Sequence, residues 1–122
     1  MTATSDEITA LMTANLLEVF GERDAGRRRE AIARIYHPDV EFADPDATVV
    51  GHEALDAKAQ GILDGAPGFV FSPAGPVYVN NDLGYLAWQL GPEGAPPVVR
   101  GVDIALVRDG LIAKVYTLLL QD

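Results

Sequence analysis

The chain contains no cysteine. That excludes a disulfide framework, a thiolate nucleophile and a zinc site built on sulfur. Histidine is scarce as well: His37 and His52 are the only two, and their spacing matches no metal-ligand pattern, so no metal site is expected. The only serines, Ser5 and Ser72, sit in no nucleophile-elbow motif, which argues against a serine triad. No glycine loop of the phosphate-binding kind is present, and no cofactor is expected. Basic residues number 9 against 18 acidic ones, for a net charge of −9. A surface of that sign repels phosphate, so neither nucleic acid nor an anionic membrane is an expected partner. Apolar runs stay far below the roughly 20 residues that a membrane helix requires. The start, Met1 to Glu7, is polar and acidic and carries no signal-peptide pattern. The expectation is a soluble cytoplasmic protein forming a single domain over residues 1–122, large enough for a real core.

What is present is an ordered alternation of periodicities. Thr4 and Glu7 have the spacing of a capping box, and Ile8, Leu11, Met12, Leu16, Val19 and Phe20 recur at helical spacing behind it. Asn15 falls on that apolar face, where a buried amide needs partners or costs roughly 1–3 kcal/mol. It is read either as a structural bridge or as a polar group lining a pocket. A second helix is expected from Arg27 to Tyr36, with Arg27-Arg28-Arg29 as a solvated face. Pro38 stops it, Val40 to Phe42 reads as a first strand, and Thr48-Val49-Val50 as a short second one. Gly51 launches a third helix, His52 to Asp64, closed by Gly65 and Pro67. From Phe69 the period becomes alternating. Phe69-Val70-Phe71 and Val77-Tyr78-Val79 flank a break at Pro73 to Pro76. Tyr85 to Leu90, Val98 to Val107 and Leu111 to Leu120 complete a meander, the last two strands joined at Asp109-Gly110. Helices first and a curled sheet around them make an α+β fold.

Two acids stand out. Pro45 biases Asp44 towards extended backbone, so its carboxylate projects from a strand end. Asp103 interrupts an apolar strand. If Asp109-Gly110 is a two-residue loop, counting back sets Asp103 opposite Tyr116, on a face shared with Ile112, Lys114 and Leu118; a three-residue loop would set it beside Val115. Either Tyr85 or Trp88 joins that face. An acid among such neighbours is expected to have a raised pKa through desolvation. The plainer alternatives are an ion pair of Asp103 with Lys114 at a sheet edge and, for Asp44, a turn residue accepting backbone N–H bonds. The opposite face of the hairpin carries Val98, Val102, Ile104 and Leu106, with Val115 and Leu119 expected to join them. Such a row predicts a homodimer packed through the sheet.

The order of elements, with Tyr36-His37-Pro38-Asp39-Val40-Glu41-Phe42-Ala43-Asp44-Pro45 and Pro97-Val98-Val99-Arg100-Gly101-Val102-Asp103, resembles the nuclear transport factor 2-like superfamily. Within it the chain is most similar to SnoaL-like and ketosteroid isomerase-like members. The resemblance implies a cone-shaped α+β barrel, a curved antiparallel sheet packed with three N-terminal helices around an apolar pocket. It implies a cofactor-free isomerase or cyclase acting on a hydrophobic carbonyl compound, steroid- or polyketide-like, with Asp44 as general base and Asp103 as protonated oxyanion donor. Asn15, Tyr36, Trp88 and Tyr116 are the candidates for binding the substrate. The isomerases' first-helix tyrosine has no counterpart near Asn15 and Leu16, which leaves Asn15 or Tyr116 as the second donor. The same fold without catalysis, as a small-ligand binder, is the alternative. The Asp-Arg-Asp group of limonene epoxide hydrolase-like proteins is disfavoured, because Arg100 and Asp103 are three apart and face opposite ways.

Overall fold

Thr4 starts the first helix as the sequence predicts. Its hydroxyl accepts the N–H of Glu7 at 3.1 Å, while the Glu7 carboxylate accepts the N–H of Thr4 at 3.2 Å, so two otherwise orphaned donors are satisfied. In the computed structural model, which describes residues 3–120, α1 spans Ser5–Ala14 and continues as a π-helical segment, Asn15–Phe20. The wider π turn brings Asn15, Leu16, Val19 and Phe20 all to the buried side. Such segments are rare and concentrate at functional sites. Hydrophobic spacing alone does not distinguish this segment from a plain helix.

The second helix, α2, is Ala25–Ile35, two residues earlier at its start than the apolar spacing predicts, because Asp24 caps it by accepting the N–H of Arg27. It passes into β1, Tyr36–Ala43, without a loop. Strand β1 therefore absorbs the His37-Pro38 turn, with a break in its pairing between Tyr36 and Glu41. His52 pins this passage: its Nε2–H is shared between the carbonyls of Tyr36 at 3.0 Å and His37 at 3.1 Å. Then follow β2 (Thr48–Val50), α3 (His52–Asp64), β3 (Phe69–Pro73), β4 (Tyr78–Asn80), β5 (Leu83–Pro92), β6 (Val99–Arg108) and β7 (Leu111–Leu120).

The strands form one curved sheet in the order β2-β1-β7-β6-β5-β3, with β4 also pairing β5. It does not close into a full barrel. It is also mixed rather than wholly antiparallel, because β1 runs parallel to β7. Parallel neighbours need a long crossover, and everything from β2 to β6 lies between these two strands in sequence. The helices cover the inner face. Ile8, Met12, Leu16, Ile32, Ile35, Leu55, Leu86, Ile112 and Val115 are buried there at 2% exposure or less.

Three expectations are corrected. Arg28 is not part of a solvated face: it is 1% exposed. Its guanidinium donates to Asp56 Oδ1 at 2.6 Å, to the Glu22 carbonyl at 2.8 Å and to Gln60 Oε1, tying α2 to α3. Asp109 and Gly110 do form a two-residue turn, with φ of 55° and 77° and Arg108 paired to Leu111. However, a bulge at Ala113 advances the register by one: Val107 pairs with Ile112, but Leu106 pairs with Lys114. A single extra residue moves each later side chain of β7 to the other face. Asp103 therefore lies opposite Thr117, and Tyr116 opposite Ile104. By the same shift Val115 and Leu119 face inward, while Lys114, Tyr116, Leu118 and Leu120 share the outer face with Val102, Ile104 and Leu106. Among the described residues no helix is long and apolar enough to cross a membrane.

Candidate functional site

Strand alternation brings Asp44 inward. Glu41 pairs with outward Lys114 and Phe42 with buried Val115, so Asp44, two residues beyond Phe42, returns to the inner side. A tight turn then fixes it. Its Oδ1 accepts the N–H groups of Asp46 at 2.9 Å and Ala47 at 3.0 Å, and its own N–H donates to the Ala47 carbonyl. Its Oδ2 is paired with Lys58 Nζ at 2.6 Å. Burial pushes this carboxyl up, but Lys58 and the N–H groups of Ala47 and Asp46 outweigh burial and hold it below the usual carboxylate range. The turn role and the inward role of Asp44 thus coexist.

Asp103 is buried at 4% exposure. Thr117 Oγ1 donates to its Oδ1 at 2.7 Å, Trp88 Nε1 to the same oxygen at 3.0 Å, and Asn15 Nδ2 to Oδ2 at 2.9 Å. Behind Asn15, the Tyr36 hydroxyl donates to Asn15 Oδ1. Burial raises the Asp103 carboxyl above its ordinary value against the pull of those three donors. It also raises the Tyr36 phenol well above its own, with the Asp103 charge adding to the effect. Gly101 makes the Trp88 contact possible: a Cβ there would lie 2.3 Å from the indole ring. Glycine inside a strand often marks such a close approach.

Both acids line one cavity of about 220 Å³. Its walls are largely apolar, with Phe20 stacked on Phe42 at 5.1 Å and Phe71 edge-on to Trp88 at 5.3 Å. Asp46, Lys58 and Thr117 complete its polar lining. Of the substrate-binding candidates, Trp88 is on the wall, whereas Asn15 and Tyr36 stand behind Asp103 as its support. Tyr116 is a correction. It is 43% exposed on the outer face, where the Ala113 bulge puts it, with Lys114 Nζ 5.1 Å from its ring centre. Tyr85 lies on that face too, opposite Ile104. Lys114 pairs with Glu41 at 3.3 Å and not with Asp103.

Lys58 and Thr117 were not foreseen. Thr117 is hidden by the bulge. Lys58 lies among the other polar residues of α3, and only its i, i+4 relation to Ile62, another wall residue, sets it apart. Among the described residues no group of three His, Asp or Glu is arranged to hold a metal.

Comparison with solved structures gives the fold independently. A candidate isomerase of the SnoaL-like family from Agrobacterium tumefaciens superposes with a TM-score of 0.87 at 20% identity, covering 95% of this chain and 99% of that one. A candidate ketosteroid isomerase from Kribbella flavida gives 0.75 at 19% identity, with 100% and 83% covered. A candidate SnoaL-like polyketide cyclase from Jannaschia sp. CCS1 gives 0.76 at 14% identity, with 98% and 90% covered. At such identities the likeness is one of fold. No curated protein matches the sequence. The family model of the SnoaL-like domain matches residues 13–115, most of the chain and every polar residue of the pocket except Thr117, and the protein belongs to the SnoaL-like domain family.

Proposed function

We propose that the protein is a cofactor-free acid–base catalyst, an isomerase or cyclase, acting on an apolar carbonyl compound of steroid- or polyketide-like character in the cytoplasm. One observation carries this reading: two carboxyls line the same apolar pocket, and their surroundings push their ionisation in opposite directions. Pairs separated in this way supply a base and an acid at one pH. Asp44, held ionised, takes a proton from the carbon next to the carbonyl. Asp103, held protonated, donates to the oxygen that gains charge. Its Oδ1 already accepts two hydrogen bonds and its Oδ2 one, so Oδ2 is the oxygen with room for the proton. The cavity of about 220 Å³ is below the roughly 300–1,000 Å³ of drug-sized sites, which favours a ligand of a few fused rings at most.

A second reading, a non-catalytic binder, is favoured by the engagement of Asp44: the turn uses one of its oxygens and Lys58 the other. Deuterium exchange into the α-position of 2-tetralone separates the two. A catalyst accelerates exchange over buffer, and Asp44→Asn lowers that rate by about 10²-fold or more. Wild-type exchange no faster than buffer across a panel of cyclic ketones puts the binder ahead. Exchange unchanged in Asp44→Asn, with only a lower melting temperature, removes Asp44 as the base.

A further inference from the structure

We propose that Lys58 determines the specificity of this pocket, its ammonium donating a hydrogen bond, beside that of Asp103, to the carbonyl oxygen of an uncharged apolar ligand. The proposal rests on the reading of the pocket as a ligand site, and it assigns a role to a residue outside the two-acid pair. Lys58 and Ile62 lie one helical turn apart on α3 and both line the cavity. The Lys58 side chain is only 19% exposed, and hydrogen bonds from a charged donor beside apolar walls are among the stronger ones. An ammonium has three donors. Among the described residues the partner found for it is Asp44, at 2.6 Å, which leaves donors beside largely apolar walls.

The charges at this end of the pocket select the kind of acceptor. Two acids, Asp44 and Asp46, stand beside one cation. An anionic ligand would meet a surplus of its own sign, in a protein whose net charge is already −9. A neutral carbonyl oxygen accepts the hydrogen bond without that repulsion. The position is also rigid. Asp56 and Gln60, on the other side of α3, are both held by the buried Arg28 guanidinium, and Arg23 donates to the carbonyls of Leu63, Ala66 and Phe69 at the helix end. A donor held in place before binding gives affinity at a low ordering cost.

Trp88 is the only tryptophan and forms part of the pocket wall, so quenching of its fluorescence reports occupancy. The probes are 2-tetralone and tetralin, which share the same rings with and without the carbonyl. The measurement is the ratio of tetralin Kd to 2-tetralone Kd. Lys58→Met should lower that ratio about tenfold, while Lys58→Arg keeps most of it. Because Lys58→Met strands the Asp44 carboxylate, Asp44→Asn/Lys58→Met is compared with Asp44→Asn in parallel, and the same fall is expected. A ratio unchanged by Lys58→Met and by the double variant overturns the proposal and leaves Asp103 as the one donor to the carbonyl oxygen, with the pocket intact as a ligand site. No quenching by either probe in the wild type overturns both this proposal and the reading of the pocket.

Discussion

Asp103 has three donors on two oxygens and yet its carboxyl is raised, so desolvation outweighs hydrogen bonding at this residue. The consequence for stability has a definite sign. A carboxyl whose folded pKa is raised contributes fully below the ordinary carboxylate pKa, and that contribution is lost as pH rises through the folded value. Asp44 and Asp56, both lowered, behave the opposite way: their contribution is present above the ordinary value and lost as pH falls through the folded one. Asp103→Asn removes the ionisation cost. It keeps an oxygen for Trp88 and Thr117 and places an NH₂ opposite Asn15. The Asn15 amide can turn over to accept it, with the Tyr36 hydroxyl then accepting from Asn15 in place of donating. Melting curves from about pH 4 to about pH 8 should therefore show the variant gaining on the wild type as pH rises. A difference that stays constant with pH would mean that Asp103 titrates normally.

The elements themselves were largely legible in the sequence, and where they were not, each miss has a local cause. Thr48–Val50, His52–Asp64 and Leu111–Leu120 occur where propensity, glycine placement and alternation predict them. The faces of β7 were misread because period-two counting from a correct turn fails at an extra residue, and nothing in Ile112-Ala113-Lys114 announces a bulge. Arg28 was misread because an arginine in a run of three looks the same whether its partners are water or, as here, Asp56, Gln60 and the Glu22 carbonyl. Of the site, the two acids could be found by strand phase and by their proline and apolar neighbours. Their partners escape for different reasons: Lys58 lies on α3, beyond β2, where no local pattern ties it to Asp44, and Thr117 is set opposite Asp103 only by the bulge in β7. The Arg28 cluster predicts a measurable cost. The guanidinium is fully buried, while Asp56 is 17% exposed and shared with Arg29. Arg28→Met leaves Asp56 half-compensated and Gln60 without its donor, and should cost about 3 kcal/mol in urea unfolding. A loss within about 0.5 kcal/mol, the size of an ordinary surface change, would mean that α3 is held by its apolar contacts alone.

At the scale of the molecule, the outer side of the sheet is the feature that the described residues of the single chain leave uncovered. The helices pack on the inner face, and across the outer one Tyr78, Tyr116, Leu118 and Leu120 are 43–63% exposed, beside Ile104 and Leu106 of β6. A row of this kind on paired strands is broader than the scattered apolar residues of a monomer's surface. A second copy is the occupant that the symmetry of such a face favours, because a two-fold axis sets the same strands against each other. A standard interface covers about 800 Å² per partner, a modest share of the 6728 Å² surface. Pairing in this way would leave the pocket free, since its lining lies on the opposite face of β5, β6 and β7. Light scattering at about 10 µM, inside the range in which such interfaces hold, should then give twice the chain mass. Leu118→Glu places a charge in the middle of the row at a position 51% exposed in the single chain. It should leave the fold within about 0.5 kcal/mol while giving the mass of one chain. A wild-type monomer at that concentration overturns the dimer, and a Leu118→Glu protein that is still dimeric places the interface on another surface.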